Sequence, residues 1–324
     1  MSMMSIWLKL SSLLMGVAIF AIGFGIIYGI LYYIGMDVGA LALLIILLPI
    51  FIIMDVLQWL FGPYIIGTVY KTHKLQPTDA EYTMLSSIVA DVARNNNVRT
   101  PEIYIAEVDI PNAFAYGSPL AGRRIAVTRG LLRILDPEEI KAVIGHEMGH
   151  LRHKDVEMLL AIGLIPTIIF YFGYTLIFSG ERSRNAGGIL VLALVAMAAS
   201  FLFRFLILAF NRMRESYADV NSALTVDGGA EKLQTALAKI VAATGRTGHY
   251  FRRRRNSPSS SMTEMLFFSN PNESVNEDYR KLIEEWKNAR VSVFADFFSD
   301  HPHPAKRIQR LEKLKMQESG LKIE

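Results

Sequence analysis

His146-Glu147-Met148-Gly149-His150 is an HExxH sequence, and its residue types and spacing suit a metal site with a base beside it. On a helix, residues four apart share a face, so His146 and His150 can both offer a ring nitrogen to one cation. Glu147 lies one residue round the helix, beside the cation rather than on it. From there its carboxylate can take a proton from an attacking water, the work of the general base in a zinc peptidase. The element that must position these groups is a helix, and the flanks agree. Asp136-Pro137-Glu138-Glu139 reads as a helix start, and Ile140, Val143 and Ile144 continue a buried stripe. A surface helix carrying these residues by coincidence is the plain alternative, and seven histidines in the whole chain make it a poor one.

Composition narrows the chemistry. The 324 residues include no cysteine, so neither a disulfide framework nor a thiolate zinc site is open, and any metal must use histidine and carboxylate. Hydrophobic residues make up 52% of the chain and mean hydropathy is +0.29, too apolar for two ordinary soluble domains. Net charge is +4, with the basic residues gathered near the ends of apolar blocks. That arrangement suits a membrane surface, and no nucleic-acid-binding motif accompanies it.

Four apolar blocks read as membrane helices. The first, Leu10 to Met36, carries no charge and no convincing cleavage site, so it is a span and not a signal peptide. Within it, Gly25-Ile26-Ile27-Tyr28-Gly29 has the spacing of a close-packing face. The second runs from Val38 to Met54 and on toward Tyr64, with Pro49 as a kink point and Asp55 and Trp59 as an interfacial end. Met158 to Phe178, the third, makes roughly 31 Å of helix, enough to span. Gly188 to Phe210 is the fourth, and its Arg204 can snorkel or pair near one end. The expected organisation is a membrane hairpin over 1–70 and a catalytic part over 71–157. A second hairpin over 158–210 follows, and the rest of the catalytic part covers 211–324.

Loop charge gives an orientation. The short link at Met36-Asp37 has no basic residue, whereas the other ends are flanked by Lys9, Lys71, Lys74, Arg152, Lys154, Arg212 and Arg214. By the positive-inside rule the termini and the HEMGH region face the cytoplasm of a multi-pass cell-membrane protein. Arg182 and Arg184, in the link from Ser179 to Gly187, blur the contrast.

Between the hairpins, Thr78-Asp79-Ala80-Glu81 reads as a capping box opening a helix through Asn95. Glu102 to Val108 and Arg123 to Thr128 read as strands. The HEMGH helix is expected to run through Arg152-His153-Lys154-Asp155 directly into the third span, which would hold the metal at the membrane surface. His153 itself reads as a surface histidine at the lipid interface. The fourth span returns the chain to the same face, into Asn211-Arg212-Met213-Arg214-Glu215-Ser216-Tyr217-Ala218-Asp219. Glu215 there is a candidate third ligand, completing a His₂Glu set with an open position. Asp219, one turn later, can accept a ring N–H from a ligating histidine and fix its tautomer. The competing account makes both acids a solvated face paired with Arg212 and Arg214. Further on, Gly229 to Thr244, Ser274 to Asn288 and Pro304 to Met316 read as helices. The basic run Arg252-Arg253-Arg254-Arg255 opens a Ser-rich loop to 261, either held near anionic headgroups or gating the cleft.

HEMGH, a membrane hairpin and then Glu215-Ser216-Tyr217-Ala218-Asp219 as ExxxD resemble the HtpX family of membrane-bound zinc metalloproteases, related to the CaaX prenyl protease type 1 enzymes. Asn112-Ala113-Phe114-Ala115 is similar to that family's NAFA segment, and His301-Pro302 with Arg307-Ile308 resembles its C-terminal HPxxxxRI element. The resemblance implies a mainly α protein: four transmembrane helices and a cytoplasmic, zincin-like α+β catalytic domain with a small sheet. It implies one catalytic zinc on His146, His150 and Glu215, with Glu147 as base. Asn112, Ala113, Phe114 and Ala115 would lie on the edge strand that receives substrate. His301 would steady the oxyanion, with Arg307 beside the metal ligands. This chain departs from the usual two prolines after that histidine, reading His301-Pro302-His303-Pro304, so His303 competes for the role.

The function expected is zinc-dependent endopeptidase action on membrane or misfolded proteins at the cytoplasmic face, as in protein quality control under stress. Its partners are protein substrates and the lipid bilayer, without nucleic acid. Processing of prenylated proteins, a membrane scaffold with structural zinc, and a transporter are the alternatives. The transporter is disfavoured because Arg204 has no acid beside it within a span.

Overall fold

The computed structural model describes residues 38–180, 186–244, 279–292, 296, 299 and 301–318. It is mainly helical with one small mixed sheet. The chain divides into two compact units. One comprises Met1–Leu60, Lys154–Glu215 and Val293–His301; the other comprises Phe61–His153, Ser216–Ser292 and Pro302–Glu324.

In the first unit, α5 (Asp155–Gly180) and α6 (Ala186–Thr225, its last ten residues in the second unit) pack through Ile162, Ile165, Ile169, Phe172 and Leu176 against Ala193, Ala196, Phe203 and Phe210. Gly173 allows the crossing, since a Cβ there would lie 2.8 Å from the Ala193 carbonyl oxygen. Leu190, Val191, Leu194, Val195, Phe201 and Leu202 are exposed along α6, an outer surface suited to lipid. With α1 (Val38–Val69), three of the described helices are long and apolar enough to cross a membrane. The block expected over Leu10–Met36 lies outside the described residues. Two expectations change here. First, α1 runs on as helix to Val69, past Asp55 and Trp59, because the apolar window continues from Ile52 to Val69. Second, the HEMGH helix does not run unbroken into the third span: Lys154 adopts a left-handed φ of 55°, ending one helix at His153 before the next starts at Asp155.

The second unit is built on a sheet of order β1-β2-β4-β3, with β1 Thr72–Lys74, β2 Glu102–Ala106, β3 Ala113–Ser118 and β4 Gly122–Thr128. β2 and β4 run parallel; β1 and β3 join antiparallel at the edges. Ile105, Ile125 and Val127 are fully buried and form the core with α2 (Tyr82–Asn95), whose Leu85, Val89 and Val92 are equally enclosed. Helix α2 begins at Tyr82, not at a Thr78–Glu81 box. Asp79 instead accepts from the Gln76 amide at 2.6 Å, closing a turn ahead of the helix. Behind the sheet lie α3 (Arg129–Ile134), α4 (Pro137–His153) and α7 (Gly229–Thr244), followed by α8 (Tyr279–Asn288) and α9 (Pro304–Glu318). The loop over 252–261 lies outside the described residues.

Candidate metal centre and active site

Helix α4 starts where its sequence says it should. The Asp136 carboxylate accepts from the amides of Glu138 and Glu139 at 3.0 and 2.9 Å, and the Glu139 carboxylate accepts from the Asp136 amide at 3.0 Å. This reciprocal cap satisfies amides that the first helical turn leaves open. One face of α4 then buries Ile140, Ala142, Val143, Ile144 and Met148. The register carries His146 and His150 to a common point, where their Nε2 atoms stand 3.3 Å apart.

The separation of α4 from the C-terminal part of α6 is set by glycine. A Cβ on Gly149 would lie 3.1 Å from the Ala218 Cα, and one on Gly145 would lie 2.8 Å from a Val226 methyl. Two side chains of α6 then bond to the backbone of α4: Asn221 donates to the Gly145 carbonyl at 2.9 Å and Ser222 to the Ala142 carbonyl at 2.6 Å. The sequence reading missed this seam. The four-residue spacing of Gly145 and Gly149 was the available signal.

Asp219, on the same stretch of α6, is fully enclosed and lies 3.0 Å from His146 Nδ1. Arg307 of α9 forks onto the same carboxylate, with Nε to Oδ2 at 3.0 Å and Nη2 to Oδ1 at 2.6 Å. Burial alone would raise the Asp219 pKa, but the Arg307 charge and the His146 ring outweigh it and bring it down to about 2. Arg310 stands further off, at 3.9 Å. A permanently ionised Asp219 accepting from Nδ1 leaves His146 Nε2 as the lone-pair nitrogen, the one turned toward His150.

Glu215 is 5% exposed, which rules out the solvated-face account for this acid as it does for Asp219. One ligand-capable atom from each of His146, His150 and Glu215 lies within 4.8 Å of the others. The arginines have other uses. Arg214 forms a buried ion pair with Asp155, and Arg212 donates to the carbonyls of Asp296 and Ser299 at 2.8 and 2.7 Å. Ser299 in turn accepts from the His301 amide at 3.3 Å, and His301 Nδ1 lies 3.2 Å from a Glu215 oxygen. His303 does something else: its Nδ1 accepts from the Ala305 amide at the start of α9. Of the two histidines, His301 is therefore the one beside Glu215. His153, expected at a lipid surface, is half-buried with its ring edge-on to Tyr217 at 4.0 Å.

Glu147 points to the sheet. Its Oε2 accepts from the Ala115 amide at 2.8 Å. β3 is an edge strand with β4 on one side, and Ala115 spends its N–H on Glu147, so that N–H lies on the open edge. Asn112 sits at the start of β3, its backbone paired both ways with Thr128. Ala113 is buried, while Phe114 turns to the opposite face and meets Tyr70 at 4.7 Å.

Two imidazoles and a carboxylate, buried at His146 and Glu215 and half-buried at His150, without any sulfur donor, are a hard-to-borderline set that fits a divalent cation of the zinc kind. With a glutamate beside them and an open strand edge within reach, they make the site of a metallopeptidase carried by a membrane protein.

Comparison with known proteins agrees. Residues 79–315 match the model of peptidase family M48. A protease HtpX homolog of Thermoplasma acidophilum is 85% identical over 98% of this chain and 100% of its own length. That of Thermoplasma volcanium is 49% identical over 95% of this chain and 94% of its own, and one from Sulfurisphaera tokodaii is 48% identical over 95% and 97%. Among solved structures, Ste24p of S. mikatae shares the fold, with a TM-score of 0.54 at 16% identity, covering 95% of this chain and 67% of that one. The chain belongs to peptidase family M48.

Proposed function

We propose that this metallopeptidase is a zinc endopeptidase that cleaves membrane or misfolded proteins at the cytoplasmic face. The observation that carries the reading is one constellation: His146, His150 and Glu215 gathered together, with Glu147 bonded to the edge of β3. In this reading His146, His150 and Glu215 hold the metal and Asp219 fixes the His146 tautomer, while Arg307 keeps Asp219 ionised and in place. Zinc bound there would supply Lewis acidity to the scissile carbonyl and to water.

The chain's own residues do the rest. The outward amides and carbonyls of β3 pair with an extended substrate backbone, giving affinity with little demand on sequence. Glu147 takes the proton of the attacking water and later delivers it to the leaving amine, so no proton is gained or lost over the cycle. His301, its side chain 46% exposed beside Glu215, donates to the oxygen that becomes negative at the tetrahedral stage. The cytoplasmic side is favoured by Lys71, Lys74, Arg152, Lys154, Arg212 and Arg214 near the span ends.

The test is metal content and casein cleavage of detergent-purified wild type beside Glu147→Ala. Zinc in both proteins and cleavage in the wild type alone is the expected result. Equal cleavage by both would overturn the mechanism.

A further inference from the structure

The hairpin joining β3 to β4 ends in an exposed leucine. Leu120 is 59% exposed, and Pro119 before it and Arg123 after it are also exposed. The turn that holds Leu120 out is built. Ser118 Oγ accepts from the Ala121 amide at 3.1 Å, Gly122 takes a left-handed φ of 71°, and a Cβ on Gly117 would lie 2.5 Å from the Gly122 carbonyl oxygen. Arg124 closes it by donating to the Ala121 carbonyl at 3.1 Å.

Aromatic contacts set the direction in which the hairpin points. Tyr70, just past the end of α1, meets Phe114 at 4.7 Å. Six residues earlier, Tyr64 lies 5.4 Å from the Arg124 guanidinium, and Arg124 is the cross-strand partner of Tyr116. Going back along α1 by roughly 9 Å therefore matches going forward along β3 by roughly 7 Å. The hairpin and the span run the same way. Leu120 lies roughly another 7–10 Å beyond Tyr116 in that direction. The neighbouring face of α1 is itself bare and apolar there, with Phe61, Tyr64 and Ile65 exposed, and it belongs to the window Ile52–Val69 that can cross a membrane.

We propose that the β3–β4 hairpin is inserted in the bilayer beside α1, with Pro119 and Leu120 among the acyl chains and Arg123 at the headgroups. An apolar tip with a cation one turn behind it matches the layering of a lipid surface. Lipid is the occupant favoured over another protein because the tip continues the apolar surface of a span. If β3 is the substrate strand, a chain pairing with it enters from the lipid side; that corollary rests on the function proposed above, whereas the insertion does not.

The absence of native cysteine makes the test clean. Leu120→Cys and Pro119→Cys, each in the full chain and labelled with bimane, are placed in phosphatidylcholine nanodiscs with and without acyl-chain nitroxide lipid. Val195→Cys, 56% exposed on α6, is the lipid-facing reference, and Arg94→Cys on α2 the reference outside the spans. Helical circular dichroism and a monodisperse elution profile equal to wild type certify each labelled protein as folded. Blue-shifted emission at both tip positions, with most of it lost to the quencher as at Val195, is the expected result. Water-like, unquenched emission would overturn the proposal, and so would a blue shift without quenching, which marks burial against protein instead.

Discussion

The amide of Ala115 donates to Glu147 Oε2 across 2.8 Å, so the candidate base and the open strand edge are joined before any substrate arrives. The base is aimed by the same backbone that would hold the peptide to be cut. Ala115→Pro removes that donor on an edge where proline is tolerated. It should keep metal content and lose roughly 10²-fold in cleavage, the scale of a misaimed catalytic group. Casein cleavage at wild-type level would disconnect the edge from the base.

Glu147→Gln separates aiming from proton transfer. The amide oxygen of glutamine can still accept from Ala115, yet the side chain cannot take a proton at neutral pH. The variant should bind metal as wild type does and lose at least about 10²–10⁴-fold in turnover, the span attributed to general acid–base catalysis. Cleavage by the variant near the wild-type rate would mean Glu147 only positions.

Glu215→Ala and Asp219→Asn should differ in kind. The first removes a proposed ligand, and metal should be lost on purification. The second leaves all three ligands but takes the charge facing His146 Nδ1 and Arg307, for a loss of about 10–100-fold in metal affinity. It also leaves Arg307 beside a neutral partner in a buried place, a change that costs on the order of 3–5 kcal/mol when a buried pair is broken. Isothermal titration with zinc, alongside thermal unfolding, measures both. Retention of tightly held metal in Glu215→Ala would contradict its place in the ligand set.

Gly149→Val probes the seam between α4 and α6. The new side chain meets the Ala218 backbone and the Asn221 side chain, so the helices must part. Overpacking of this sort costs about 1–3 kcal/mol, and here the candidate ligands sit on both sides of the gap. Lower melting temperature together with weaker metal binding is the expected pair of effects. A melting point that falls while zinc affinity stays constant would detach the seam from the site.

How much of this could be read beforehand varies with the physics. The α4 cap, the HExxH face and the Glu215–Asp219 spacing are local, and helical periodicity projects them directly into space. The large apolar helices were legible for the same reason, from bulk hydrophobicity. What failed was decided by partners distant in sequence. β3, Ala-Phe-Ala-Tyr-Gly-Ser, has little intrinsic strand preference and pairs because β4 is there to receive it; residues alone said only that it lay between two strands. β1 is three residues long and owes its existence to β2. Arg212 and Arg214 looked like partners for Glu215 and Asp219 on one helix, but carbonyls near position 299 and the carboxylate of Asp155 outbid them. The break at Lys154 needs a left-handed residue that no glycine or asparagine announced.

The glycine seam has a thermal consequence. Where Gly145 and Gly149 approach α6, the glycine backbone packs on the Cα atoms of Ser222 and Ala218 and on short side chains, two of which are hydrogen-bonded to α4. Ordinary helix pairs are spaced by long side chains whose rotamers loosen on heating, and their separation drifts as those rotamers are explored. A contact made by glycine and short, hydrogen-bonded side chains has few rotamers to loosen. The distance between the two helices that carry the candidate ligands is therefore held by close packing of short groups, and it should stay nearly constant with temperature until the fold itself gives way.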